Sequence, residues 1–193
     1  MNKEFKFKII LGSASPRRQE LLKSLNFDFN VYPINADETF PKNLIAEEIP
    51  LYLSEKKSLA YQQPLSENEV LITSDTIVWH NGIALNKPSS YEEAKLMLSS
   101  LSGEMHEVFT GVCLRSLNWK KSFVEVTKVY FKNLSDSEID FYLKNYNAYD
   151  KAGAYGAQDW IGLIAVERIE GSYFNVMGLP VHRLYSELQK INT

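Results

Sequence analysis

Apolar residues along the chain fall into two rhythms, and the switches between them mark its elements. Phe7 to Leu11 is almost continuously apolar and predicts a buried strand. Gly12 to Ala14 turn the chain, Ser15 suits a helix N-cap and Pro16 a first helical residue, and the leucines from Leu21 to Leu25 run on towards a stop at Asn26. A second strand is expected over Phe27 to Val31, a polar loop over Asp37 to Asn43, and a helix from Pro50 through Tyr61, closed by Gln63-Pro64. Two strand segments follow, Val70 to Ser74 and Ile77 to His80. Asn81-Gly82 then signals a two-residue hairpin returning through Ile83 to Leu85. Ser90-Tyr91-Glu92-Glu93 and Ser135-Asp136-Ser137-Glu138 each match a capping box. The first opens a helix that ends at Ser102-Gly103, and the second one that carries Ile139, Tyr142 and Leu143. Between them lie strand patterns over Glu107 to Arg115 and Ser122 to Phe131, with a turn at Asn118-Trp119. Ile161 to Ile169 reads as a strand, and a terminal helix begins at Pro180.

Alternating strands and helices predict an α/β fold, and the hairpin with its long consecutive strands predicts a mixed twisted sheet with flanking helices. No repeat, low-complexity tract or long linker interrupts the chain, so residues 1–193 are read as a single domain.

Composition narrows the function. At 193 residues and 45% hydrophobic content the chain can bury a sizeable core without covalent staples. The formal net charge of −3 argues against a nucleic-acid partner, which calls for a broadly basic face, while leaving room for a small phosphorylated one. The lone Cys113 excludes an internal disulfide, fits a cytoplasmic setting, and sits in the run Val112-Cys113-Leu114 as a small core residue. No apolar stretch reaches the roughly 18 residues of a membrane span, and Met1 to Lys8 alternate lysine with phenylalanine without a signal-peptide core.

Three segments carry candidate chemistry. Gly12-Ser13-Ala14-Ser15-Pro16-Arg17-Arg18 joins a strand to a helix N-terminus, where free N–H groups, two hydroxyls and two guanidinium forks suit phosphate oxygens. On its own the segment reads as a capped surface helix with solvated arginines. Ser74-Asp75-Thr76 places a carboxylate between two apolar strand segments, which is costly unless it is paired, solvated or bound to metal. Read as an acid at a strand end, Asp75 would bind a divalent cation, activate a water, or both. The third segment runs from Asp150 to Trp160 and contains Gly153 and Gly156. Its Lys151 is expected to meet phosphate and its Gln158 a base edge, while Tyr155 and Trp160 belong to a ring contact or, more commonly, to the core. Together the segments read as a site for a nucleoside triphosphate. Lys56 and Lys57, Lys87 and the loop acids Asp37-Glu38 are unremarkable by themselves. His80, His106 and His182 show no metal-ligand spacing.

With these residues in place the chain resembles the Maf family of nucleotide pyrophosphatases. The likeness runs from Ile10 to about Leu188. It is carried by Ser13 to Leu22, Asp75-Thr76-Ile77-Val78, Asn86-Lys87-Pro88, Leu101 to Val108 with Thr110-Gly111-Val112, Asp150 to Gly156, and Tyr173 to Pro180. The resemblance implies two lobes around a deep cleft, as in the Maf and ITPase-like folds, and assembly as a homodimer. It implies hydrolysis of a nucleoside triphosphate to the monophosphate and pyrophosphate with a divalent cation, and a role in house-cleaning of non-standard nucleotides. The family's general base falls on Asp75, its phosphate contacts on Ser13, Arg17, Arg18, Lys57 and Lys87, and a loop acid on Glu38. Mg²⁺ or Mn²⁺ would then be held by Asp75 and Glu38. The dTTP/UTP branch carries arginine, threonine and glutamine as specificity residues, matched by Arg17, Thr76 and Gln158. The alternatives are the 7-methyl-GTP branch and a nucleotide-sensing regulator of cell division that turns nothing over. Five positions depart from the family pattern: Ser58 and Ser74 stand where alanine is usual, Asn86 where glycine is usual, and Asp159-Trp160 replaces a smaller, glycine-containing pair.

Overall fold

A computed structural model of the chain describes residues 6–191, so the first five residues of the Met1 to Lys8 reading lie outside it. In chain order the elements are β1 (Lys8–Leu11), α1 (Pro16–Lys23), β2 (Phe29–Val31), α2 (Glu48–Leu59), β3 (Glu69–His80), β4 (Ile83–Leu85), α3 (Tyr91–Leu101), β5 (Met105–Arg115), β6 (Lys120–Phe131), α4 (Asp136–Asn145), α5 (Trp160–Ala165), β7 (Val166–Glu170), α6 (Tyr173–Val176) and α7 (Val181–Ile191). The seven strands form one mixed sheet in the order β2-β1-β3-β5-β6-β7, with β4 paired to β3. β1 runs parallel to β2 and β3, whereas β3 with β4 and β6 with β7 are antiparallel. The expected mixed α/β class is what the chain adopts.

Residues gather into two compact units. The first comprises the chain up to Asp75, Thr110–Glu125 and the stretch from Gly178 onward. The second comprises Thr76–Phe109 and Val126–Met177. In the first, Leu11, Leu22, Ile72, Leu114, Leu184 and Leu188 are at most 2% exposed. Each such side chain contributes about 1.5–3 kcal/mol of burial. Cys113 is fully buried beside Leu114, as expected of a core thiol. In the second, Leu98, Leu101, Val129, Ile139, Tyr142 and Ile161 make the centre of the core.

Local signals mostly act as their chemistry dictates. Ser15 is the N-cap of α1 with Pro16 at its start, and Ser135 completes the full capping box of α4. Ser90 accepts from the Glu93 amide, but the Glu93 carboxylate turns back to Ser89, so only half of that box forms. Asn81 and Gly82 take the left-handed φ values of 50° and 78° that a type I′ hairpin needs.

Two expectations are corrected. β3 is one unbroken strand, so Asp75 lies in its middle and not at a strand end. The strand tolerates the acid there because Lys57 pairs with it. The stretch Ile161 to Ile169 is a short helix followed by β7. A short apolar run is ambiguous between the two forms, and here burial decides. Ile161 and Ala165, four apart, are fully buried while Leu163, which a strand would point the same way, is 78% exposed.

Candidate active site

The first unit holds an ion cluster with a buried centre. α2 presents Lys57 on its inward face, only 9% exposed. Its ammonium donates to the Asp75 carboxylate on β3 and, at 2.9 Å, to Glu38 Oε1 in the loop after β2. One lysine thus joins two acids brought from different elements. α2 can lie against the sheet because Gly111 on β5 has no side chain: a Cβ there would stand 2.2 Å from the Pro50 carbonyl oxygen. The Thr73 hydroxyl donates to the Ser54 carbonyl at 2.7 Å and ties α2 to β3 two residues before Asp75. Next to Lys57, Lys56 points to the surface and holds Asp37 Oδ2 at 2.9 Å and the Thr39 carbonyl at 2.8 Å. Hydrogen bonds from Thr39 and Lys56 hold the Asp37 carboxyl down at about 2. Two consecutive lysines therefore clamp two consecutive exposed acids, and of the two lysines Lys57 also reaches inward to Asp75.

The turn before α1 completes this unit's share of the expected residues. Ser13 is 6% exposed, and its Oγ accepts from the Ser15 amide at 3.2 Å, which leaves its own hydrogen to donate. Arg17 is half-buried on the first turn of α1. Arg18 donates from Nε to the Gly178 carbonyl at 2.8 Å and from Nη1 to the Ser74 carbonyl at 2.9 Å. Burial pulls the Arg18 guanidinium below its ordinary value, while the nearby Asp75 charge opposes that shift. Arg18 thus grips the backbone that carries Asp75.

The second unit holds the remaining expected residues. Thr76 is half-buried on β3, Lys87 is exposed after β4, and Gln158 is half-buried in the turn before α5. The Gly153 amide donates to the Asn86 carbonyl at 3.3 Å, so the glycine-rich run is stitched to the residue before Lys87. Lys151, expected to meet phosphate, is 8% exposed and turned inward to the Asn147 carbonyl, Asp150 and Asp159. Tyr155 packs edge-on against Phe131 and His106 and bonds the latter, and Trp160 lies against Phe141, so both rings are taken up by packing.

A family model described as Maf-like protein matches residues 8–191. The chain is 52% identical over 187 residues to the dTTP/UTP pyrophosphatase of Phocaeicola vulgatus, covering 96% of this chain and 97% of that one. It is 50% identical over 183 residues to the dTTP/UTP pyrophosphatase of Flavobacterium johnsoniae, covering 95% and 94%. The chain belongs to the Maf-like protein family. Among solved structures, the Ham1 protein of Staphylococcus aureus aligns with a TM-score of 0.47 at 16% identity, over 93% of this chain and 99% of that one, a likeness too distant to assign the fold.

In this Maf-like chain one departure from the expected pattern, Ser58, has a structural use, and another, Ser74, makes no side-chain bond among the described residues. Ser58 accepts from Arg115 Nε at 2.9 Å through Oγ and from Arg115 Nη2 at 2.6 Å through its carbonyl. Ser74, 1% exposed, has a hydroxyl with no hydrogen-bond partner among the described residues. Among the described residues no three of His, Cys, Asp and Glu form a metal-holding cluster, and no helix is long and apolar enough to cross a membrane. Sequence reasoning missed the grip of Arg18 on two carbonyls and the inward turn of Lys151. The Arg18 carbonyls lie far along the chain, and the adjacency of Asp150 and Lys151 does not by itself say which way the ammonium turns.

Proposed function

We propose that this Maf-like chain hydrolyses dTTP and UTP to the monophosphate and pyrophosphate. The Asp75–Lys57–Glu38 cluster, with Asp75 and Lys57 buried and Glu38 at its exposed edge, is the observation that carries the reading. An acid kept at depth beside a cation, next to a strand-turn-helix that carries Ser13 and Arg17, suits water activation beside phosphate. The named activity of relatives about half identical over nearly the whole chain supports the pyrimidine triphosphates.

The roles follow from the chemistry. Asp75 orients the attacking water and takes its proton on the carboxylate as the water oxygen bonds the α-phosphorus. The bond from that phosphorus to the bridging oxygen breaks, and the electron pair leaves with pyrophosphate. Ser13, Arg17 and Lys57 contact phosphate oxygens, and we assign Lys87 the same duty. Arg18 serves by fixing the Ser74 carbonyl, and so the backbone of Asp75. Thr76 and Gln158 read the base. A divalent cation, Mg²⁺ or Mn²⁺, fits the donor set, because Asp75 and Glu38 offer hard carboxylate oxygens that already share one positive partner, Lys57. When bound it would neutralise phosphate charge.

The test is pyrophosphate release from a panel of dTTP, UTP, CTP and 7-methyl-GTP, with and without Mg²⁺ or Mn²⁺. Release from dTTP and UTP, falling by about 10²–10⁴-fold in Asp75→Asn, is the expected result. Binding without release overturns the enzyme reading in favour of a sensor, and preference for 7-methyl-GTP moves the chain to the other branch. Turnover by Asp75→Asn at the parent rate removes Asp75 from the chemistry.

A further inference from the structure

The second unit contains an ion pair whose place in the chain gives it a purpose. Gly156-Ala157-Gln158-Asp159 is a tight turn closed by the Asp159 amide donating to the Gly156 carbonyl at 3.0 Å. Ala157 is buried and Gln158 half-exposed, so Gln158 stands at the tip of a turn rooted in the core. Asp159 occupies the N-cap position of α5, yet its side chain makes no capping bond. Its carboxylate is taken instead by the Tyr142 hydroxyl, which donates at 3.0 Å, and by the Lys151 ammonium at 3.3 Å. Tyr142 is fully buried and Lys151 nearly so. Gly156 makes room for the pair: a Cβ there would stand 2.7 Å from Asp159 Oδ2 and 2.8 Å from Lys151 Cε. The ammonium also reaches Asp150 Oδ1 at 2.9 Å and the Asn147 carbonyl, so one buried charge joins the start of the glycine-rich run to its end.

We propose that Lys151 and Asp159 form a strut that sets the position of Gln158, making them positioning residues for pyrimidine recognition. The inference deepens the proposed function and rests on Gln158 reading the base. An amide discriminates uracil from cytosine only if its donor and acceptor ends are held in place, because the two bases differ in which end they satisfy. Buried Ala157 roots the turn on one side of Gln158. The neighbouring Asp159, fixed to a buried cation and a buried phenol, supplies the rigidity.

Steady-state kinetics with UTP and CTP on Lys151→Met, Asp159→Asn, Asp159→Glu and Gln158→Ala, in the full chain, test the strut. Lys151→Met and Asp159→Asn should raise KM for UTP about tenfold, hold kcat within about twofold, and reduce the preference for UTP over CTP by about tenfold. Asp159→Glu, which keeps the carboxylate, should recover most of that preference. Gln158→Ala should lose it at least as far. A strut variant with the parent preference, where Gln158→Ala has lost it, overturns the strut and leaves the reading of Gln158 standing. A parent-like preference in Gln158→Ala overturns that reading and the inference with it. Should Lys151→Met fail to fold, the Asp159→Asn and Asp159→Glu pair decides by the same ratio.

Discussion

Arg18 and Lys57 are both cations beside Asp75, but the bonds they make separate their duties. Lys57 meets carboxylates, whereas Arg18 meets two backbone carbonyls that only a fork can span together. Arg18→Lys therefore keeps the charge and loses one of the two grips. We expect kcat to fall about tenfold with KM for UTP nearly unchanged, whereas loss of a phosphate contact made in both ground and transition states raises KM. Steady-state kinetics on that single variant distinguishes the cases. This is also where the sequence stops being informative. Lys56 and Lys57 are neighbours on a helix with no strong periodicity, and only the packing of α2 shows which one faces Asp75. Asp75 was legible because a carboxylate amid apolar residues calls for a partner. The partner was not, since it comes from another element.

At the scale of elements, α2 and β5 meet through backbone. Gly111 lets the Pro50 carbonyl approach so closely that any side chain must push the helix away, and Lys57 travels on that helix. Gly111→Ala should cost about 2 kcal/mol or more and lower Tm accordingly, with loss of activity in the same variant. Thermal unfolding followed by circular dichroism checks it, and an unchanged Tm contradicts the packing described. Elements announced by local chemistry were readable in advance: the Ser15-Pro16 start, the Ser135 capping box and the Asn81-Gly82 hairpin each solve a backbone problem within a few residues. α5 was not, because its six residues form an apolar run whose fate depends on which of them the core accepts.

Across the molecule, buried titratable groups set how the fold responds to acid. His106 in the second unit is 1% exposed, and burial, with a smaller push from His80, holds it down at about 3 against an ordinary 6.5. The unfolded chain takes up a proton below pH 6.5 that the folded one refuses, so stability falls as pH drops from 6.5 towards 3. Glu187 on α7 in the first unit is bonded by Lys121 and Lys190 and held at about 2 against 4.5. Its contribution is complete above pH 4.5 and is lost as pH falls from there to about 2. Both groups act in the same direction, each by at most about 1.4 kcal/mol per pH unit. Tm should decline from pH 6.5 downward. His106→Gln should flatten the decline between 6.5 and 4.5, and Glu187→Gln only below 4.5. A Tm that is level from pH 7 to 4 contradicts this assignment.

Lys57 has a consequence for the protein's dependence on its surroundings. Two acids whose mutual repulsion would otherwise call for an outside ion are reconciled by a residue of the same polypeptide. The charge balance between these acids is therefore met within the polypeptide. Chelator-treated and untreated samples should accordingly melt at the same temperature, and a chelator-induced drop in Tm would show that the ammonium does not suffice.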